Sequence, residues 1–526
     1  MTNQGAQTQL LEPLLKHIGC EYEITAGDSA AAATDVAVTG LSADSRSLQS
    51  GEAFVALPGE TSHGVDYLTD IESRASVVLL DSDDRRSENL STLLPTVRIQ
   101  KLSEKLGDLV SHFHGDPSHD IPICGVTGTD GKTSVSQFVA GILQAMGRPT
   151  GFIGTVGWGL GDALESNPLT TPSMVDLHRM LAELRRQGAE FIVMEVSSHA
   201  LVQGRVKGVW FDVAALTNLG RDHLDYHKTE ANYRAAKKKL FEWDGLAAVV
   251  VNLDDELGRQ LFTECQTGGN AVCGYTIEES DKSGDFENDS NAGPGSSLES
   301  VLRASDVVSA DQGVSFKLHS GAEQWPVKTS LLGRFNVSNL LAAIGIVRAF
   351  GEDLNTAVAT LEKLVCVPGR MEAFRKSAMP TLVVDFAHTP QALDSALNTV
   401  REHCAGRLWV VFGCGGDRDR GKRSEMGAVA MSCADQIIVT DDNPRSESSS
   451  EIITEILSGI PDFPTSRVVV EADRKAAIKL AFENADADDW ILIAGKGHED
   501  YQLVGDQRLP FSDREIAREL LAGSAS

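Results

Sequence analysis

Residues 125–134, GVTGTDGKTS, nearly spell a phosphate-binding loop. Gly128 and Gly131 allow backbone amides to approach phosphate oxygens, Lys132 can reach the β- and γ-phosphates, and the Thr133 hydroxyl can ligate Mg²⁺. The first glycine of the common G-x-x-x-x-G-K-[ST] pattern would fall at Val126, and Asp130 brings a carboxylate where phosphates should sit. A glycine-rich strand-to-helix turn with no ligand accounts for the same letters. Asp also tolerates the left-handed backbone such a turn can need, so Asp130 need not point at phosphate.

Further along, MEVSSHAL (194–201) puts Glu195 at a strand end, an oxygen donor suited to Mg²⁺, although an N-capping serine in a simple turn reads equally well. The stretch 217–241, TNLGRDHLDYHKTEANYRAAKKKLF, gathers histidines, aspartates and a lysine cluster. Taken singly these suit structural histidines and a solvated helix face. Their company after one phosphate loop argues for a shared site. In the last third, GGDRDRGKR (415–423), DDNPRSE (441–447) and GKGHED (495–500) carry Arg418, Arg445, Lys496, His498 and Glu499. Arginines hold carboxylates bidentately and a nearby acid holds an amine, so the mixture suits a zwitterionic, amino-acid-like substrate. Salt bridging on surface loops is the plainer alternative for any one of the three.

These groups must be positioned by elements that the apolar pattern foretells. From Asp35 to about Leu80 the chain reads as short strands, and 103–115 has helical spacing. A strand IPICGV then precedes the phosphate loop, and 133–147 continues as an apolar-striped helix. The strands FIVMEV, VAALTNL and AAVVVNL alternate with helical segments, the pattern of a mostly parallel, doubly wound sheet. After CVPGRMEAF (366–374) come TLVVDFAH, RLWVVFGCGG, QIIVTDDNP and WILIAGKGHE, each ending in polar or glycine-rich residues, where open parallel sheets collect ligands. Residues 278–300 are dense in Ser, Asp, Asn and Gly and read as a flexible loop with no catalytic role.

A chain of 526 residues is too long for one core, so two to four domains are expected. The net charge of -28 excludes a broad electrostatic footprint for nucleic acid, so any anionic substrate must be held by local Arg, Lys, metal ions or helix N-termini. Eight cysteines without a C-x-x-C pair suggest neither a zinc site nor a disulfide framework. With a mean hydropathy of -0.12 and no apolar run approaching 18 residues, a cytoplasmic protein without membrane attachment is expected.

Taken together, the stretches from ADSRSLQSGEAFVALPG (43–59) to FSDREIARELL (511–521) resemble the Mur ligase family, whose own short phosphate loop, TGTxGKTS, lacks that first glycine. The resemblance implies an α/β chain of three domains: a small N-terminal α/β UDP-sugar domain (1–118), a central ATPase domain with a mostly parallel sheet (119–365), and a C-terminal Rossmann-like amino-acid domain (366–526). It is nearest to the members that add the third residue of the peptidoglycan stem. These join an amino acid to UDP-MurNAc-L-Ala-D-Glu with ATP and Mg²⁺, through an acyl phosphate.

The resemblance also assigns residues. Thr127, Gly128, Thr129, Asp130, Gly131, Lys132, Thr133 and Ser134 would hold ATP. Asn336, Arg370 and Asp385 would hold adenine, phosphate and ribose. Thr133, Glu195, His223 and Lys237 would be metal ligands, Lys237 as the carbamate the family forms, and Lys132, Glu195, His223 and Lys237 would carry the chemistry. Ser45, Thr170, Thr171, Ser197, Gln203 and Arg205 would hold the UDP-MurNAc-dipeptide. Arg418, Asp442, Asn443, Pro444, Arg445, Gly495 and Glu499 would hold meso-2,6-diaminopimelate, with Arg445 on its far carboxylate. A monomer is expected. Asp130, Leu169, Phe386, Gln391 and Ser424 depart from the family pattern. The rival readings are a ligase for L-lysine or another amino acid, a sister amide ligase such as a folylpolyglutamate ligase, and a non-catalytic nucleotide- or UDP-sugar-binding regulator.

Overall fold

The computed structural model describes residues 8–25, 36–59, 62–87, 90, 92–161, 163–277, 301–460 and 466–523. The loop expected at 278–300 lies outside the described residues. The chain divides into two compact units, one formed by 1–132, 147–250 and 255–272, the other by 133–146, 251–254 and 273–526.

The first unit opens with a five-stranded sheet in the order Tyr22–Thr25, Thr96–Ile99, Val77–Asp81, Ala53–Ala56, Leu41–Ser42. Only the first pair is antiparallel. Alternate side chains of each strand reach opposite faces. Ala53, Val55, Val77, Leu79, Val97 and Ile99 pack with the helix Leu102–Phe113, while Phe54, Ala56, Val78 and Leu80 pack with Leu48, Leu68 and Ile71. Both faces being covered, the central strands Ala53–Ala56 and Val77–Asp81 read as nearly unbroken apolar runs.

A second sheet, of eleven strands among the described residues, begins in the same unit with Ala163–Glu165, Gly157–Leu160, Thr150–Gly154, Phe191–Glu195, Ile123–Thr127, Val213–Leu216 and Ala248–Asn252. The expected parallel core is present, and the antiparallel edge made by Gly157–Leu160 and Ala163–Glu165 was not foreseen. Parallel register sets Val126 beside Glu195 and Thr127 beside Leu216. Three strands therefore end together at one edge, where the phosphate loop, Glu195 and the Thr217–Asn218 turn emerge.

In the second unit, Leu302–Ala310, Gly313–Ser320 and Glu323–Thr329 form an antiparallel meander followed by the helix Arg334–Ala349. Its last sheet runs Glu372–Phe374, Thr381–Asp385, Trp490–Ala494, Leu408–Phe412, Gln436–Val439, Val468–Val470, antiparallel only at the first pair. Val410, Phe412, Ile437, Val439 and Leu492 pack under the helices Pro390–His403, Gly421–Cys433 and Ser449–Leu457. Val411, Ile438, Ile491 and Ile493 pack under Arg474–Asn484 and Asp513–Gly523. Each such fully buried Val, Leu or Ile contributes about 1.5–3 kcal/mol. Asp385, Phe412 and Ala494 lie side by side in register, so the loops after them leave from one edge.

His403 ties the helix Pro390–His403 to the meander and to the start of Arg334–Ala349. Its Nε2 accepts from the Gly333 amide at 3.0 Å, and its Nδ1 lies 2.5 Å from the Ala310 carbonyl. Both bonds together require a neutral ring, Nδ1–H donating. Burial holds the imidazole pKa below its ordinary value and nearby Arg375 pushes the same way, against the hydrogen bond to the Ala310 carbonyl and the charges of Glu402 and Asp311. A proton is therefore bound more readily in the unfolded chain, and stability present above the ordinary imidazole pKa is lost as pH falls below it. The expected result is a melting temperature that falls between pH 7 and pH 5, with this one site contributing at most about 1.4 kcal/mol per pH unit. In His403→Gln, followed by thermal melts across that range, the fall is shallower.

Candidate functional site

The phosphate loop is shaped by glycine and pinned from the neighbouring strand end. Gly128 has φ +148, and a Cβ there would lie 1.8 Å from Thr217 Oγ1. Gly131 supplies the second positive φ, so the left-handed backbone falls on the glycines and not on Asp130. The Asp130 amide donates to Asn218 Oδ1 at 3.0 Å, and its carbonyl accepts from Asn218 Nδ2 at 3.1 Å and Thr217 Oγ1 at 2.5 Å. The Thr129 amide donates to the Asn218 carbonyl at 2.9 Å. The helix Lys132–Ala145 begins directly after the loop, so its N-terminal amides and dipole favour anions there. Thr127 Oγ1 is buried without a hydrogen-bond partner at the end of the loop's own strand. An orphaned hydroxyl in this place fits a site built for a polar ligand such as a nucleotide phosphate with its metal ion.

The Asp130 side chain is exposed while its backbone makes the contacts. Asp130→Asn should then leave the fold and the Mg²⁺ needed for half-maximal rate unchanged to within about twofold, since an exposed charge near water acts weakly. A titration of rate against Mg²⁺ in both proteins checks this.

Two lysines converge on the same loop. Lys132 Nζ donates to the Gly128 and Thr129 carbonyls at 2.9 and 2.8 Å, and Lys237 Nζ reaches the Gly128 carbonyl at 2.6 Å. Lys237 leaves the helix Glu230–Lys238 with only 1% of its surface exposed, 4.4 Å over the Tyr233 ring. Burial, and then the charge of Lys132, push its pKa well below the ordinary lysine value. A buried amine kept neutral is a nucleophile.

Glu195 is fully buried, taking the Thr155 amide at 2.8 Å on Oε1. The Thr155 hydroxyl is 3.1 Å from both Glu195 Oε2 and Thr170 Oγ1. Thr171 Oγ1 donates to the Glu195 carbonyl at 2.8 Å and accepts from the Ser197 amide at 3.0 Å. Arg205 donates to the Thr171 carbonyl at 3.0 Å and to Gln203 Oε1 at 2.7 Å. Thr170, Thr171, Ser197, Gln203 and Arg205 thus form one network around the Glu195 strand end. Ser45 lies in the turn after the strand Leu41–Ser42 of the N-terminal sheet, its carbonyl accepting from Arg74 at 2.7 Å.

His223, at φ +52, is half exposed with Nε2 3.3 Å from Asp222 Oδ2, and its ring lies 4.8 Å from that of His199. Among the described residues no group of three or more His, Cys, Asp or Glu is placed to hold a metal ion. Of the four expected ligands one is a hydroxyl and one a lysine, and the latter is a ligand only once its amine has become an anion. Thr155, Thr217, Asn218, Tyr233 and His199 were not expected. They act by shaping the site; position directly after an apolar strand marks Thr155, Thr217 and Asn218 in the sequence, while Tyr233 and His199 lie on helices and carry no such mark.

In the second unit, Asp385 accepts the Met371 and Ala387 amides at 2.8 Å each, and burial raises its carboxyl pKa against the pull of Arg370. The Arg370 guanidinium lies 4.6 Å over the Phe386 ring. Phe386, one of the residues read as a departure from the family pattern, thus offers a stacking face. Asn336 sits in the first turn of its helix, donating to the Leu332 carbonyl at 2.8 Å and accepting from Asn339 at 3.2 Å.

From the neighbouring strand ends, Asn443 Nδ2 donates to Glu499 Oε2 at 3.0 Å, and Lys496 Nζ donates to Asn443 Oδ1 at 3.0 Å and Glu499 Oε2 at 3.2 Å. Gly495, at φ +122, has no Cβ that would otherwise lie 2.4 Å from Asp442 Oδ2. Arg445 is held at φ +51, an uncommon conformation for a side chain of its size, with Nη1 on the Gly416 carbonyl at 2.7 Å. Behind it, fully buried Arg423 donates to both Glu447 oxygens at 2.9 Å and to the Gly415 carbonyl at 3.1 Å, tying the Arg445 loop to the Arg418 loop. Asp442, Asn443, Pro444, Arg445, Gly495 and Glu499 are therefore gathered at neighbouring strand ends, with Arg418 exposed at the rim. Lys496 was counted in the charged mixture of its motif but not among the substrate-binding residues, and it lies fully buried.

Residues 126–347 match the Mur ligase middle domain, and 369–497 match the Mur ligase, glutamate ligase domain. The chain is 42% identical over 487 residues to the UDP-N-acetylmuramoyl-L-alanyl-D-glutamate--2,6-diaminopimelate ligase of Coxiella burnetii, covering 93% of this chain and 96% of that one. It is 44% identical over 495 residues to the ligase of the same name from Xanthomonas campestris, covering 93% and 95%. A solved structure of a ligase of that name superposes with a TM-score of 0.68 at 31% identity, covering 99% of this chain and 100% of that one.

Proposed function

This chain belongs to the Mur ligase family, and from that premise we propose that it joins meso-2,6-diaminopimelate to UDP-MurNAc-L-Ala-D-Glu at the expense of ATP. The observation that carries the reading is the gathering of Asp442, Asn443, Arg445, Gly495 and Glu499 at one sheet edge, a mixed-charge site suited to an amino-acid head, in a chain that also has a phosphate loop. The expected three domains, 1–118, 119–365 and 366–526, belong to the same reading and are supported by the separate sheets.

In the first step a carboxylate oxygen of the UDP-MurNAc-dipeptide bonds to the γ-phosphorus, and the bond to the bridging oxygen breaks so that ADP leaves with the electron pair. The amino group of the incoming amino acid then bonds to the acyl carbon, gives up a proton, and phosphate departs from a tetrahedral intermediate. Lys132 and the amides of the loop and helix start balance charge on the phosphates, and positioning supplies much of the rest. Thr133, Glu195, His223 and Lys237 as a carbamate would hold Mg²⁺, which supplies charge neutralisation at phosphorus when bound. The Thr170, Thr171, Ser197, Gln203 and Arg205 network is proposed to hold the UDP-MurNAc-dipeptide, with Ser45 contributing from the turn after Leu41–Ser42. Asn336, Arg370 and Asp385 are proposed to hold the nucleoside.

We place the protein in the cytoplasm as a monomer. Among the described residues no helix is long and apolar enough to cross a membrane. The decisive test is ADP release with and without UDP-MurNAc-L-Ala-D-Glu, screening meso-diaminopimelate, L-lysine and L-ornithine. Release that requires the dipeptide and meso-diaminopimelate is expected. ATP turnover indifferent to both would sink the reading.

A further inference from the structure

We propose that Lys496 is a specificity-determining positioning residue. Its buried ammonium locks Asn443 and Glu499 in place and sets the net charge of the pocket that receives the far head of the incoming amino acid. This rests on the function proposed above. Lys496 has no exposed surface, and its Nζ donates to Asn443 Oδ1 and Glu499 Oε2 while lying 5.7 and 5.9 Å from the Tyr501 and Phe511 ring centres. With those bonds made beneath the site, the ammonium acts through Asn443 and Glu499. A buried cation is retained only where partners compensate its desolvation, and here both partners are expected to touch substrate.

The charge balance follows from the same residues. Asp442 and Glu499 bring two negative charges, Lys496 and Arg445 two positive ones, and Arg418 adds one at the exposed rim. The nearby buried cation Arg474 is matched by Asp513 at 2.8 Å. A balanced or slightly positive pocket suits a head that carries both a carboxylate and an ammonium. Lysine offers only the ammonium at that end. Removing the Lys496 charge leaves Asp442 and Glu499 facing Arg445 alone inside the rim, which weakens the hold on the carboxylate and favours the bare ammonium.

The test uses the full chain with saturating ATP and UDP-MurNAc-L-Ala-D-Glu, measuring kcat/KM for meso-diaminopimelate and for L-lysine. In Lys496→Met the ratio of the two should fall by about tenfold or more, with KM for ATP and the melting temperature near those of the wild type. Lys496→Arg, where it folds, should keep more of the selectivity than Lys496→Met. If Lys496→Met does not accumulate as folded protein, Asn443→Asp carries the test: it adds one negative charge with Lys496 in place and should shift the ratio the same way. An unchanged ratio in the folded variant overturns the role of Lys496 while the proposed function stands. A wild type that ligates neither amino acid overturns the proposed function itself.

Discussion

Lys237→Ala should lose ligase activity by about a hundredfold or more, as removal of a group that stabilises developing charge does, and regain part of it with added formate or acetate. Lys237 is almost fully buried against the Gly128 carbonyl, and burial together with the Lys132 charge drives its pKa well down. The neutral amine can attack carbon dioxide through its nitrogen lone pair and lose a proton, which converts it into an anion that can ligate Mg²⁺. A short carboxylate can enter the space left in the alanine variant and take over that oxygen donor. The fold should survive, because Gly128 keeps the bond from Lys132. The measurements are amino-acid-dependent ADP release with and without the added carboxylate, and intact mass of the wild type under carbon dioxide. An unmodified Lys237 in the fully active, substrate-bound enzyme would overturn this account.

The second large effect is expected at Arg445. Meso-diaminopimelate carries a second amino-acid head at its far end, and a bidentate guanidinium suits that carboxylate while Glu499 can accept from the ammonium. The protein holds Arg445 in a left-handed backbone between the Leu503 and Gly505 main chain, with its guanidinium on Gly416. Arg423 and Glu447 fix the loops on either side. Such anchoring means little ordering is left to be done when substrate arrives. Lysine would leave the guanidinium without its anion, at a cost on the order of 1–3 kcal/mol, enough for at least tenfold discrimination. Arg445→Ala should therefore lower kcat/KM for meso-diaminopimelate by about tenfold or more while KM for ATP holds. Equal use of L-lysine and meso-diaminopimelate by the wild type would show this reading of the motif to be wrong.

Much of the site was legible because its residues sit at strand ends. An apolar run that stops at a glycine or a carboxylate announces both the strand and the place where its ligand groups emerge, as at Thr127, Glu195, Asp385 and Ala494. The strands Tyr22–Thr25 and Thr96–Ile99 were not legible, being four residues long with mixed patterns. Nor were Thr217 and Asn218, whose importance lies in bonds to a loop some 87 or 88 positions away along the chain.

By itself the sequence determined the class of fold and suggested the local chemistry: alternating apolar strands and striped helices demand a wound parallel sheet, and Gly128, Gly131 and Lys132 suit an anion site at a helix start, where a plain glycine turn fits the same letters. Tertiary structure decided the charge states and contacts. No local pattern says that Asp130 turns outward, that Lys237 and Lys132 share one carbonyl, or that Lys496 lies fully buried beneath Asn443 and Glu499. The reason is physical. Burial, and with it the dielectric that shifts a pKa or makes an ion pair matter, is set by which strands lie side by side, and register between segments distant along the chain is a property of the packed sheet.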